Sequence, residues 1–197
     1  MDELGANTRS TCSWPGNDPL MIEYHDKEWG TPVHDDRKHF EFFVLDLFQA
    51  GLSWSIVLKK REGFREAFDH FEFEKIATYD EQKIQALLSN EKIIRNQLKI
   101  RATITNAQKF LAIREEFGSF DEYIWQFVGH QTIHHRYTEL GQLPASTPES
   151  DAMSRDLKRR GFKFVGTTIC YAYMQAAGLV NDHMTYCFRY QELNPEA

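Results

Sequence analysis

Four residues of metal-ligand type stand in two pairs at opposite ends of the sequence. Cys12 and His25 lie near the start, and His183 and Cys187 lie within Val180-Asn181-Asp182-His183-Met184-Thr185-Tyr186-Cys187. A His and a Cys four residues apart share one face of a helical turn. Two thiolates and two imidazoles make a complete tetrahedral shell for structural zinc, and ligands drawn from both ends would clip the chain around one globule. The spacing is not that of a zinc finger, whose ligands sit close in sequence. The same residues also fit a plainer reading, two buried cysteines and two ordinary histidines, because free cysteine is among the most buried residue types.

Asp46 is the next anomaly. It sits in Phe40-Glu41-Phe42-Phe43-Val44-Leu45-Asp46-Leu47-Phe48, a nearly all-apolar segment. A buried carboxylate is costly unless paired. It is therefore either a pocket acid facing a polar or cationic ligand, or a residue on a thin polar stripe bonded to a cap or an arginine. Trp14, Tyr24, Trp29 and Trp54 cluster in the first third. Their usual fate is core filling; the alternative is a stacking pocket, since aromatic faces bind flat cations. Arg95-Asn96-Gln97-Leu98-Lys99 joins two helical patterns by a short polar turn. Such a turn is either a solvated face or a phosphate site at a helix N-terminus. Lys59-Lys60-Arg61 and Lys158-Arg159-Arg160 with Lys163 are further basic clusters of the same double reading. His130, His134 and His135 have ligand-like spacing but are not read as sharing a Cys or acidic partner at matched distance, and we read them as surface residues.

Helices must position these groups. The pattern predicts one from Arg37 to Ala50, ending at Gly51, and one capped by Asp80 that carries Ile84, Leu87 and Leu88. Another runs from about Gln97 to Glu116, its apolar stripe formed by Leu98, Ile100, Ile104, Ala107 and Leu111. Thr147-Pro148 reads as N-cap and first helical residue of a helix closing at Gly161. A last helix runs from about Thr167 to Ala177 and stops at Gly178. Sustained strand alternation is missing, with only Phe162-Lys163-Phe164-Val165 able to extend briefly. The expected class is all-α.

The chain has 197 residues, 42% of them hydrophobic and 14% aromatic, so one globular domain with a real core is expected. We expect residues 1–11 to be a flexible tail, 12–190 a single helical domain and 191–197 a second tail. Three cysteines make no disulfide framework, and with no signal-like N-terminus this points to a reducing cytoplasm. No apolar run is long enough to span a bilayer. The net charge of −6 argues against a broad nucleic-acid-coating surface but leaves room for a narrow basic stripe.

Several segments together resemble the bacterial type I 3-methyladenine DNA glycosylases of the helix-hairpin-helix superfamily. They are Cys12-Ser13-Trp14, Tyr24-His25-Asp26-Lys27-Glu28-Trp29-Gly30 and Gln49-Ala50-Gly51-Leu52-Ser53-Trp54. Next are Ile93-Ile94-Arg95-Asn96 with Lys99-Ile100, and Arg160-Gly161-Phe162-Lys163-Phe164-Val165-Gly166-Thr167-Thr168. Last come Met174-Gln175-Ala176 and Gly178-Leu179-Val180-Asn181-Asp182-His183. They occur in order from Cys12 to Cys187.

The resemblance implies an all-helical fold with a DNA-gripping hairpin within about residues 84–110. It implies one structural zinc on Cys12, His25, His183 and Cys187 and no organic cofactor. It implies a base pocket of Tyr24, Trp54, Trp14 and Trp29, a catalytic carboxylate at Asp46, a wedge at Leu52, and backbone contacts from Arg95 and Lys99. The implied activity is monofunctional: a bacterial, cytoplasmic monomer flips an alkylated base out of double-stranded DNA and hydrolyses its N-glycosidic bond without cutting the strand. Two departures stand out. The family has Glu then Gly where this chain has Asp46-Leu47, and the hairpin turn carries Lys92 where Gly is common. The first frames an alternative, a non-catalytic or altered-specificity DNA-damage-binding relative. A zinc-clipped interaction module is a further one.

Overall fold

A helix that is apolar almost all round has to be surrounded, and the architecture is built on that requirement. In the computed structural model, which describes residues 9–194, the apolar segment forms α2 (Asp36–Gln49), with all ten residues from His39 to Phe48 buried. Asp35 caps it by accepting the Lys38 N–H at 2.8 Å. Before it, α1 (Pro19–Lys27) starts at the Asp18 cap with Pro19 in its first turn. After it, Gly51 at φ +78 turns the chain into α3 (Trp54–Lys59) and α4 (Arg61–Ala67). Then come α5 (Phe73–Ile76), α6 (Glu81–Ser89), α7 (Gln97–Phe117) and α8 (Phe120–Trp125). The last third holds α9 (Pro148–Arg159), α10 (Thr167–Ala176) and α11 (Phe188–Leu193).

Helices α3, α7, α8 and α10 all pack against α2. Stacked and edge-on rings fill the joint: Phe40 lies 5.2 Å from Phe110, Phe110 4.0 Å from Phe120, and Phe43 5.5 Å from Tyr173. Each buried Phe contributes roughly 1.5–3 kcal/mol relative to exposure. No helix among the described residues is long and apolar enough to cross a membrane.

The expected helix ends are found. Asp80 accepts the Lys83 N–H, Thr147 and Ser150 form a reciprocal capping box, and Gly161 and Gly178 stand at positive φ after their helices. Two expectations need correction. The chain is mostly helical rather than all-α: β1 (Ile133–His134) and β2 (Val180–Asn181) pair in parallel, Ile133 with Val180 and His134 with Asn181. Residues 162–165 form no strand, because Phe164 takes a left-handed φ of +58 that breaks any extension. As for the expected tails, residues 1–8 and 195–197 lie outside the described residues. The described parts of both are structured: the Ser10 carbonyl accepts the Phe188 N–H at 2.9 Å, and α11 runs through position 190 to Leu193.

Gly178 brings distant parts of the chain to one cavity. A Cβ there would lie 2.3 Å from the carbonyl carbon of Thr31, so only glycine lets the turn after α10 press against the turn after α1. Gly30 N–H then donates to the Gln175 carbonyl at 2.9 Å and Val33 N–H to the Ala177 carbonyl at 3.0 Å. Residues from α1 and α10 thereby share a wall.

Candidate functional site

Of the three buried polar residues on α2, two are fully engaged. His39 donates or accepts at both nitrogens, Nε2 to Asp121 at 2.9 Å and Nδ1 to the Tyr173 hydroxyl at 2.6 Å. Glu41 accepts from Arg61 Nε at 2.8 Å and from Arg65 Nε at 2.9 Å. Asp46 differs: it is 2% exposed, and its Oδ2 has no hydrogen-bond partner among the described residues. It lines a cavity of about 230 Å³ together with Trp14, Tyr24, Trp29 and Trp54, so the five residues singled out for a base pocket meet in one place. Leu47 and Phe48 are buried in the core and do not line it. The departure beside Asp46 therefore leaves the cavity open.

The walls are aromatic. Tyr24 lies 5.1 Å from Trp54 at a tilt of 49°, and Trp14 stands edge-on to Trp29 at 5.0 Å. The indole Nε1 atoms of Trp14 and Trp54 are also buried without a partner among the described residues. Buried polar groups are nearly always hydrogen-bonded. Three orphans around one cavity, one acceptor and two donors, describe a site made for a ligand with polar edges. Burial pushes the Asp46 carboxyl well above the usual range. Tyr24 is pushed up too, first by burial and then by the charge of Asp46, so its hydroxyl stays protonated.

Behind Trp29 lies the Cys/His quartet. All four residues are buried, and their ligand atoms lie within 4.8 Å of one another. His183 Nδ1 is 3.1 Å from His25 Nε2, 3.6 Å from Cys187 Sγ and 3.8 Å from Cys12 Sγ, and Cys187 Sγ is 3.6 Å from His25 Nε2. Tetrahedral bonds of about 2.0–2.3 Å place their ligands about 3.3–3.8 Å apart, so the spacing fits such an ion. The outer nitrogens fit as well. His25 Nδ1 is bonded to Asp26 at 2.6 Å, and His183 Nε2 to the Trp29 carbonyl at 2.9 Å. Each bond leaves the other ring nitrogen turned inward for a metal. The Cys12 thiol donates to Cys187 and both imidazoles face it, which holds the Cys187 thiol far below its usual range.

The polar turn between α6 and α7 is less uniform than its sequence suggests. Arg95 is exposed and faces Glu91 at 3.7 Å, and Leu52 is 39% exposed beyond α2. Lys99 is different. It is 6% exposed, and its ammonium donates to the carbonyls of Phe48 at 2.9 Å and Ala50 at 2.6 Å. A cation on the last carbonyls of a helix satisfies groups that have no helical partner. Lys99 therefore fastens the start of α7 to the end of α2, rather than offering a free charge as expected of it. Leu98, placed in the apolar stripe from the sequence, is 71% exposed, because buried Ile100 and Ile104 lie on the opposite side of the helix. Lys92 needs no left-handed backbone; its turn packs against α4 because Gly63 has no Cβ to strike the Lys92 carbonyl 2.5 Å away.

The other basic clusters are largely ion-paired. Arg61 is held by Glu28 and Glu41, and Arg160 by Glu116 and Asp156. The reading of the three histidines changes. His130 is exposed, but His134 and His135 are half-buried, and His135 meets Asp182 at 2.6 Å, an acid 47 residues away that spacing does not reveal. Gln49 and Gln175 also line the cavity. Both lie in segments that carry the family resemblance, but neither is among the residues read as the pocket.

Comparison with known proteins gives concordant matches. The methyladenine glycosylase family profile matches residues 14–190. DNA-3-methyladenine glycosylase 1 of Escherichia coli (strain K12) is 48% identical over 184 residues, 93% of this chain and 98% of that protein. A crystal structure of 3-methyladenine DNA glycosylase I superposes with a TM-score of 0.88 at 51% identity, covering 91% of this chain and 98% of the other. A Staphylococcus aureus 3-methyladenine DNA glycosylase I, solved for its recognition of 3-methyladenine, superposes with a TM-score of 0.88 at 33% identity over 91% of this chain and 96% of its own.

The buried carboxyl has a consequence for stability. The folded state holds the Asp46 proton more tightly than the unfolded chain does, so ionisation opposes folding as pH rises above about 4, the ordinary aspartate range. Asp46→Asn removes that cost with little change of shape. The variant should melt above the parent at pH 7 and lose the advantage towards pH 4. Melting curves across this range check it; a variant less stable than the parent at pH 7 would mean that the carboxylate holds a structural partner.

Proposed function

The chain belongs to the methyladenine glycosylase family, and from that premise we propose that it excises 3-methyladenine from alkylated DNA by hydrolysing the N-glycosidic bond. The observation that carries this reading is the unpartnered Asp46 carboxyl in a cavity walled by Trp14, Tyr24, Trp29 and Trp54. A base inside a duplex is out of reach, so it must be flipped into such a cavity. An N3-methylated adenine is cationic and already a good leaving group. The protein needs little acid catalysis on it. It needs a carboxylate and π-faces that select the cation. Asp46 and Tyr24 bond the base edge, Trp54 and Trp14 stack on it, and Trp29 backs the wall against His183. The glycosidic electron pair leaves on the base, which departs neutral, while water adds its oxygen to the sugar carbon and loses a proton. The product is an abasic site with the strand intact.

The α6–α7 turn is the helix-hairpin-helix grip on the duplex backbone, with Leu52 as the wedge filling the gap left by the base. Arg95 supplies charge and Lys99 anchors the wedge loop. The Cys12, His25, His183 and Cys187 quartet holds one zinc ion. With four protein ligands it has no position for water, so the zinc is structural. The domain takes in at least residues 10–193 and works as a monomer on double-stranded DNA. Its unbridged cysteines suit a bacterial cytoplasm.

Single-turnover incubation with methylated DNA tests the activity. The parent should release free 3-methyladenine above the spontaneous background, faster as pH rises through the raised Asp46 pKa. Asp46→Asn should be slower by about ten- to a hundredfold, the loss of one charge-assisted hydrogen bond, and flat with pH. Equal rates would make the carboxylate structural.

The two basic residues of the turn should separate. Arg95→Ala should weaken binding to all duplex sequences and lower the salt slope by about 1. Lys99→Met should leave the slope unchanged and slow excision, as Leu52→Ala should, because the wedge loop loses its anchor. Binding titrations at several salt concentrations decide this; a reduced slope for Lys99→Met would return it to the phosphate-binding groups.

For the metal, purified protein should carry about one zinc per chain. Cys187→Ala should lose it and melt earlier, because the clip between the chain ends opens. Metal analysis with calorimetry checks both, and a metal-free preparation with an unchanged melting temperature would refute the site.

A further inference from the structure

Gln175 and Asp182 form a polar unit at the cavity wall with no part in breaking the glycosidic bond. Asp182 is 1% exposed. Its Oδ1 meets His135 Nδ1 at 2.6 Å, and its Oδ2 accepts from the Tyr171 hydroxyl and from Gln175 Nε2, the latter at 2.7 Å. Tyr171 and Gln175 stand four apart on α10, so both reach the carboxylate from one helix face. The Gln175 backbone is held as well, its carbonyl accepting from Gly30 N–H at 2.9 Å.

This arrangement decides which way the amide points. A glutamine amide can ordinarily turn over and offer either a donor or an acceptor. Here a flip would set Oε1 against a buried carboxylate, exchanging a charge-assisted hydrogen bond for repulsion. Nε2 is therefore fixed on Asp182. Oε1 accepts no hydrogen bond among the described residues, and Gln175 lines the cavity together with Asp46 and the aromatic residues.

We propose that Gln175, its amide locked in one orientation by Asp182, is a specificity-determining residue that presents a carbonyl oxygen to the flipped base and selects a 6-amino purine over a 6-oxo purine. Adenine carries a donor at that edge and guanine an acceptor. Carbonyl facing carbonyl leaves two buried acceptors unpaired, which a site built for a donor rejects strongly. The lesion refused is 3-methylguanine, which shares the N3-methyl group and positive charge of 3-methyladenine, so the charge of Asp46 alone does not separate the two.

This inference rests on the glycosylase reading, and the experiment keeps the two apart. Single-turnover release of 3-methyladenine and 3-methylguanine is measured from the same methylated DNA, and the ratio of the two rates is taken within each protein, so any loss of folded enzyme cancels. Two variants are compared with the parent. Gln175→Met keeps length and removes the acceptor. Asp182→Asn supplies an amide that can donate to a flipped Gln175 and so unlocks it. The ratio should fall by about tenfold in each, the value of one discriminating base contact. For a variant too slow to follow, binding of the two free bases by tryptophan fluorescence gives the same ratio. An unchanged ratio in either variant overturns the proposal. A parent that releases no 3-methyladenine would instead overturn the glycosylase reading.

Discussion

Everything at this site depends on keeping one carboxyl group, that of Asp46, in a dry place without a partner. Such a group opposes folding, and an isolated helix would not hold it there. Helix α2 can, because it is packed by α3, α7, α8 and α10 and filled in by stacked rings. The other polar residues of α2 cost little, since His39 and Glu41 bond to neighbours on all sides. The core thus over-determines the helix and leaves the unsatisfied demand at a single oxygen. A cationic ligand would meet that demand, so the same feature that weakens the fold would become the attraction that fills the cavity.

The second constraint is that the cavity walls come from parts of the chain far apart in sequence. Trp14, Tyr24 and Trp29 come from the beginning, Leu140 and Leu143 from a loop, and Ala172 and Gln175 from α10. The Cys/His quartet ties the first of these to the last, and His183 bonds the Trp29 carbonyl directly. Gly178 permits the backbone contact that brings Gln175 beside Gly30. On the other side, Lys99 binds α7 to the end of α2 through the Phe48 and Ala50 carbonyls, within about a turn of Asp46. The α6–α7 turn and the cavity therefore share one rigid helix terminus.

Features with local causes were legible in the sequence. Asp80, Thr147-Pro148 and the glycines after α9 and α10 act on the residues beside them, and each marks a helix end that the structure has. The quartet and the pocket aromatics were legible because their residue types are rare and chemically particular. What escaped has long-range causes. The exposure of Leu98 and burial of Lys99 depend on where the end of α2 lies, and no periodicity within α7 says so. His135 finds Asp182 only because β1 and β2 pair across 47 residues. Gln175 stands in a segment that carries the family resemblance, but its place at the cavity shows only with the carboxylate behind it.

The proposed function requires an acidic protein to recognise a polyanion, and the charge balance bears on how it would do so. With a net charge of −6, the body repels DNA at long range, and several of its cations are tied up in internal pairs such as Arg61 with Glu28 and Glu41. Affinity for undamaged duplex gains little from such a surface. The missing attraction is supplied by the lesion itself. In the function proposed here, a normal adenine would bring no charge to the cavity and leave Asp46 facing a neutral ring, whereas an N3-methylated one would bring a positive charge to a buried acid in a low-dielectric pocket, where the interaction is strongest. Discrimination thus comes from the damage and not from the duplex, and a weakly attracting surface sharpens it, because little binding energy is available that a normal base could share.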